Sequence, residues 1–264
     1  MPSDLSPVQT RSDSPEAKKK LLNSRYTAIV ILLIISIGVY LNTLPNEFVY
    51  DDESIVLRNP WIRDVKYIPE IFLTDAWAFK GEGPPLNYYR PLMHMIYMID
   101  YHIFGLKPWG FHLTNIIFHA GVTLLVFLIA SILINQSLNL NSKFIPNKSG
   151  QNSKSKIQNP AFIAALLFAA HPIHTEAVTW VGGIPELSFT LFYLLSFYLY
   201  INSNKRYTPL NPLSRGENKN KRWGKKIILS VFFFFLATLC KEPALTLPIL
   251  LLVYDYSFRK DTLL

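Results

Sequence analysis

Charge is what this sequence has least of. Only 17% of its 264 residues are Asp, Glu, Lys or Arg, against about 25% in soluble globular domains, so an ordinary water-facing surface cannot be assembled from it. Cys240 is the single cysteine, which excludes an internal disulfide. No pattern recurs with a period of 20–50 residues, so the chain holds no tetratricopeptide or similar array. No small-residue cleavage pattern follows the first apolar run, which is therefore expected to persist as a membrane span. What abounds is apolar: 50% hydrophobic residues and 14% aromatics, with 18 Phe and 18 Pro. That mixture fits a helical membrane protein with short, kinked connections.

A spanning helix needs roughly 20 predominantly apolar residues. Residues 26–44, 111–134, 185–201 and 244–256 supply four such runs, the last two less fully. "AFIAALLFAA" (161–170) and "IILSVFFFFLATLC" (227–240) supply two shorter ones. The connections sort by charge. The N-terminal tail, the loops holding "NKSGQNSKSK" and "NKNKRWGKK", and the C-terminal "YDYSFRKD" region contain 19 of the 26 Lys and Arg but six of the 18 acids. The other connections contain seven basic residues and twelve acids. Basic loops stay cytoplasmic, so the alternation predicts six helices with both termini cytoplasmic. The basic excess is thus an orientation signal, and no nucleic-acid partner is expected.

The expected fold class is an all-α integral membrane protein with about six transmembrane helices. Residues 1–25 form a basic cytoplasmic tail, 26–256 the transmembrane domain and 257–264 a cytoplasmic end. The first outer loop, 45–110, carries juxtamembrane helices. Its stretch "PLMHMIYMIDYHIFGLKPWGF" is apolar but interrupted by His94, Asp100 and His102, which suits a helix lying in the membrane interface.

The distinctive polar groups all fall on the outer side. Asp51, Asp52 and Glu53 follow the first span, and Arg90 precedes the interfacial helix. His112, Asn115 and His119 recur at i, i+3 and i+7 on one helix face. "HPIHTEAVTW" supplies His171, His174, Glu176 and Trp180, and "KEP" supplies Lys241 and Glu242. Ten and fourteen apolar residues rise only about 15 and 21 Å against a hydrocarbon core of roughly 30 Å. His171 and Lys241 would then lie in a polar recess at lipid-headgroup depth. Such a recess suits a lipid-linked phosphosugar, its phosphate near Lys241, Arg90 or a histidine. A carboxylate, Asp51 or Asp52, would take the proton from an acceptor hydroxyl.

Plainer roles compete with each assignment. The carboxylates could be solvated topology determinants, the His/Asn stripe interhelical hydrogen bonding, and Lys241–Glu242 a local charge pair. Pro172 inside "HPIHTE" disfavours the regular helix of H-E-x-x-H sites, so no metal ligand is assigned and a divalent cation is the less favoured option.

"FVYDDESIVLRNP", "YYRPL", "GFHLTNIIFHA", "ALLFAAHPIHTEAVTWVGGIPELSF" and "LATLCKEPALTLPILLLVYD", in that order, resemble the membrane half of the tetratricopeptide-repeat-bearing transmembrane O-mannosyltransferases and their bacterial relatives. These belong to the GT-C superfamily. The resemblance implies transfer of a sugar, a hexose such as mannose, from a polyprenyl-phosphate donor to an acceptor hydroxyl, on protein, at the extracytoplasmic face. It implies an acidic catalytic base in the first outer loop, matching Asp51 or Asp52, and a donor contact at Arg90. The membrane would be the cell membrane in a prokaryote or the endoplasmic reticulum in a eukaryote. The sequence leaves open a truncated enzyme ending after its sixth helix, and a non-catalytic remnant, lipid-linked-sugar binder or transporter-like protein as the alternative.

Overall fold

Each apolar run becomes a helix, and the flanking residues explain where it stops. The structure, a computed structural model, describes residues 15–81, 88–144, 153–203 and 218–258. Among these residues all regular structure is helical: α1 (Pro15–Gly38), α2 (Ile68–Leu73), α3 (Pro91–Phe104), α4 (Pro108–Phe144), α5 (Ser153–Ala170), α6 (Thr175–Thr179), α7 (Ile184–Ser203), α8 (Asn218–Cys240) and α9 (Leu247–Phe258). Pro91 and Pro108 open α3 and α4, where a missing N–H leaves no bond unmade. Gly105, at φ 65°, closes α3 and lets the chain turn into α4. Residues 1–14, 82–87, 145–152, 204–217 and 259–264, with parts of the basic tail and loops, lie outside the described residues.

The two short apolar runs form longer helices than their composition suggests. α5 has 18 residues and α8 has 23, rising about 27 and 35 Å. Polar and basic residues extend both at the end remote from the acidic cluster, because a helical backbone satisfies its own hydrogen bonds whatever its side chains. The recess therefore cannot be argued from undersized helices and must stand on geometry.

Three helical stretches are long and apolar enough to cross a membrane, within Arg25–Thr43, Pro108–Leu138 and Val181–Ser203. A fourth crossing results if Pro160–Ala170 and Pro172–Thr179, bent by 46°, count as one. Six crossings are not established by the described residues. α9, with 12 residues, rises only about 18 Å.

α4 lies at the centre, packed on α1, α5 and α7, while α7 and α8 form the most extensive pair. Ser196 and Ser230 clasp that pair, each hydroxyl donating to the other's backbone carbonyl at 2.7 and 2.8 Å. Ala161 and Ala165 are fully buried beside Leu32 and Phe127, their small side chains letting α5 approach α1 and α4 closely. The segment between α1 and α4 folds onto its own apolar core of Ile55, Val56, Trp61, Ile62, Ile71 and Tyr97. In α3, His94 and Asp100 face this interior, whereas Ile99 and Ile103 are exposed.

Candidate active site

Three adjacent carboxylates cannot share one environment without mutual repulsion, and the backbone separates them. Tyr50 adopts φ 52°, a left-handed conformation uncommon for a non-glycine residue. The Asp51 carbonyl then accepts the N–H groups of both Ser54 (2.9 Å) and Ile55 (2.8 Å), leading into a wide π-type turn at Glu53–Leu57. Such turns recur at functional sites. Glu53 points to solvent and pairs with Arg58 at 3.1 Å. Asp52 is 1% exposed, accepting the Val49 N–H at 3.1 Å and the Gly182 N–H at 2.9 Å. Asp51 is exposed and faces open space.

Two cavities meet there. The larger, about 760 Å³, is bordered by Asn46, Glu47, Tyr50, Asp51, Glu176 and Trp180 among others. The smaller, about 70 Å³, is bordered by Asp51, Trp77, Tyr88, Arg90, Trp180 and Gly182 among others. Asp51 and Trp180 alone border both.

Burial pushes the Asp52 carboxyl up to about 6, and the Val49 and Gly182 N–H groups hold it below what burial alone would give. Asp52 therefore fastens the loop after α1 to the turn before α7. Gly182 and Gly183 let the turn itself pack tightly against Trp180 and α6. A Cβ on Gly183 would sit 2.3 Å from the Ala177 carbonyl oxygen, and one on Gly182 2.5 Å from the Trp180 ring.

The cations of the site are already engaged. Arg90 lies 3.5 Å from Glu242 and above the Tyr88 ring at 5.0 Å, while its Nε is buried without an acceptor. Lys241 pairs with Glu186. Neither Lys241 nor Glu242 borders the two cavities. His171 caps the Pro172–His174 turn by accepting the Ile173 N–H at 3.1 Å. The His174 ring packs on Phe168. Asn115 donates to the carbonyls of Val178 and Trp180 at 3.3 and 2.7 Å, and His119 bonds the Ala169 carbonyl at 3.1 Å. This stripe on α4 holds the backbone that carries Glu176 and Trp180. His112 is buried beside it and borders neither cavity. No cluster of three His, Cys, Asp or Glu side chains suited to a metal ion occurs among the described residues.

Over 236 residues, 89% of its length, the chain is 32% identical to the protein O-mannosyl-transferase TMTC3 of Homo sapiens, matching 22% of that protein. It is likewise 32% identical over 213 residues, 78% of its length, to protein O-mannosyl-transferase Tmtc1 of Drosophila melanogaster, covering 20% of that chain. The chain is homologous to a segment of the TMTC-family protein O-mannosyl-transferases. Human TMTC4 follows at 29% identity over 232 residues, 87% of this chain and 29% of the relative. No family model and no solved structure matches the chain.

Gly182 was absent from the sequence-derived site, and Trp180 was singled out there without a role. The usable signal was the Gly182–Gly183 pair, separated from Trp180 by Val181, a composition that marks close backbone approach. Tyr88 and Trp77 carried no signal, since aromatics are common throughout the chain.

Proposed function

We propose that the chain carries the base-bearing face of a membrane glycosyltransferase, moving a sugar, a hexose such as mannose, from a polyprenyl-phosphate donor to a hydroxyl on protein. One observation carries this reading: Asp51 and Trp180 border both cavities, so a carboxylate and an aromatic face stand where two substrates would meet. The similarity to O-mannosyl-transferases supplies the reaction class. The donor sugar lies against Trp180 with its phosphate toward Arg90. The acceptor hydroxyl enters the larger cavity and gives its proton to the Asp51 carboxylate as its oxygen attacks the anomeric carbon. The bond from that carbon to the phosphate oxygen breaks, and the lipid phosphate leaves with the electron pair. Asp52 positions the Trp180–Gly182 backbone.

The same reading takes residues 26–256 as a six-span domain with both termini cytoplasmic and the site extracytoplasmic. A second reading, a binder of lipid-linked sugar without turnover, is favoured by the engagement of Arg90 and Lys241 with Glu242 and Glu186. Sugar transfer from a polyprenyl-phosphate donor, measured at matched membrane levels, separates the two. Asp51→Asn should lose about 10²–10⁴ in rate, and Glu53→Gln should stay near normal. Undiminished transfer by Asp51→Asn removes that carboxylate from the chemistry.

A further inference from the structure

The carboxylates at this end of the bundle differ in their partners: Asp52, Asp75 and Asp100 accept hydrogen bonds from backbone N–H or hydroxyl groups, and others pair with cations or with none. Glu53, Asp64, Glu186 and Glu242 each pair with a cation: Arg58, Lys66, Lys241 and Arg90 respectively. Glu47, Asp51 and Glu176, which border the larger cavity, pair with no cation among the described residues, and no Lys, Arg or His borders that cavity. Its carboxylates thus stay uncompensated among the described residues, while Arg90, already paired with Glu242, borders only the smaller cavity.

A metal ion is a poor match for this charge, because the three carboxylates do not converge into a ligand cluster. A ligand with cations spread along it suits separated carboxylates better. At about 760 Å³ the cavity is within the roughly 300–1,000 Å³ of ligand pockets, large enough for a short extended segment. Tyr50, 88% exposed at its lip, offers an aromatic face on which Lys or Arg can rest.

We infer that the larger cavity selects acceptors by charge, taking Ser- or Thr-bearing polypeptide segments flanked by Lys or Arg. The hydroxyl lies at Asp51, and the flanking cations lie against Glu47 and Glu176. This inference rests on the acceptor half of the reading above and names its substrate class. Cations on the acceptor also steer its approach, so association depends on ionic strength.

The test uses the full chain in nanodiscs and three fluorescent threonine peptides, identical except for flanking Lys/Arg, Ala or Glu residues. Binding is measured without donor, and transfer separately with it. The basic peptide should bind most tightly. Glu47→Gln with Glu176→Gln should weaken its binding by about 2- to 30-fold, the range for two solvent-accessible ion pairs. The Ala peptide should be almost unaffected, and raising salt should shrink the preference. Equal binding of the three peptides, no binding of any, or a preference that survives the double substitution overturns the inference. Charge-blind transfer by an active protein sinks the acceptor preference while sparing the reaction. Selective binding without transfer leaves the preference standing and removes the reaction.

Discussion

At Asp52, burial and hydrogen bonding pull the carboxyl in opposite directions. Burial wins, leaving it at about 6 against an ordinary 3.8. A carboxyl raised in the folded state binds its proton more tightly there than in the unfolded chain. Its contribution to stability therefore grows as pH falls from about 6 toward 4. Asn at this position cannot titrate. Thermal midpoints of the native protein and Asp52→Asn should accordingly diverge in favour of the native protein across that window. Parallel curves would mean that Asp52 is not buried as described. Arg90 poses the complementary question. Its guanidinium borders the smaller cavity with Nε unpaired, and charge-assisted contacts are worth about 1.5–3 kcal/mol. Arg90→Ala should weaken polyprenyl-phosphate donor binding by roughly 10- to 150-fold, read by direct titration. Lys241→Ala should cost less, because Lys241 borders neither cavity.

The elements that aim these residues are short and depend on single contacts. Gly183→Ala would place a methyl 2.3 Å from the Ala177 carbonyl oxygen, forcing α6 away from the start of α7. Such overpacking costs about 1–3 kcal/mol. Gly38→Ala, with nothing within 4 Å, is the matched control, and thermal unfolding should distinguish the two. In α3, His94 is fixed on both nitrogens, to Asn59 at 3.1 Å and to the Ala76 carbonyl at 2.9 Å. Burial lowers its pKa to about 4, so it is neutral near pH 7. Because the unfolded histidine takes a proton more readily, this contribution is lost as pH falls from about 6.5 toward 4. His94→Ala strands two polar groups and should cost about 2–5 kcal/mol. Hydrogen exchange should rise first in residues 59–80. Unchanged exchange there would mean that His94 does not hold the loop.

For the whole molecule, the decisive expectation is sidedness. The Asp52–Gly182, Arg90–Glu242 and Lys241–Glu186 contacts gather the loop after α1 and the α5–α7 and α8–α9 connections at one end of the bundle. In a Cys240→Ser background, cysteines at positions 51 and 174 should react with an impermeant reagent added from the extracytoplasmic side, and one at position 220 should not. Labelling at 220 under those conditions would overturn the six-span arrangement.

The sequence by itself determined the helical membrane class, the acidic segments between apolar runs and the resemblance to a segment of the O-mannosyl-transferases, because apolar run length and motif order are local, one-dimensional properties. It also located the C-terminal ends of α5 and α8, where His171–Pro172 and Lys241 interrupt the apolar runs. It could not give their full lengths, since polar residues continue a helix without an apolar signal. Nor could it separate Asp51 from Asp52. That distinction required the left-handed Tyr50 and a partner N–H 130 residues away at Gly182, and no periodicity records a contact of that range. Tertiary structure alone decided that Trp180 stands beside Asp51 and that Arg90 and Lys241 arrive already paired. Both facts depend on which helix ends meet, and burial and charge compensation are settled only there.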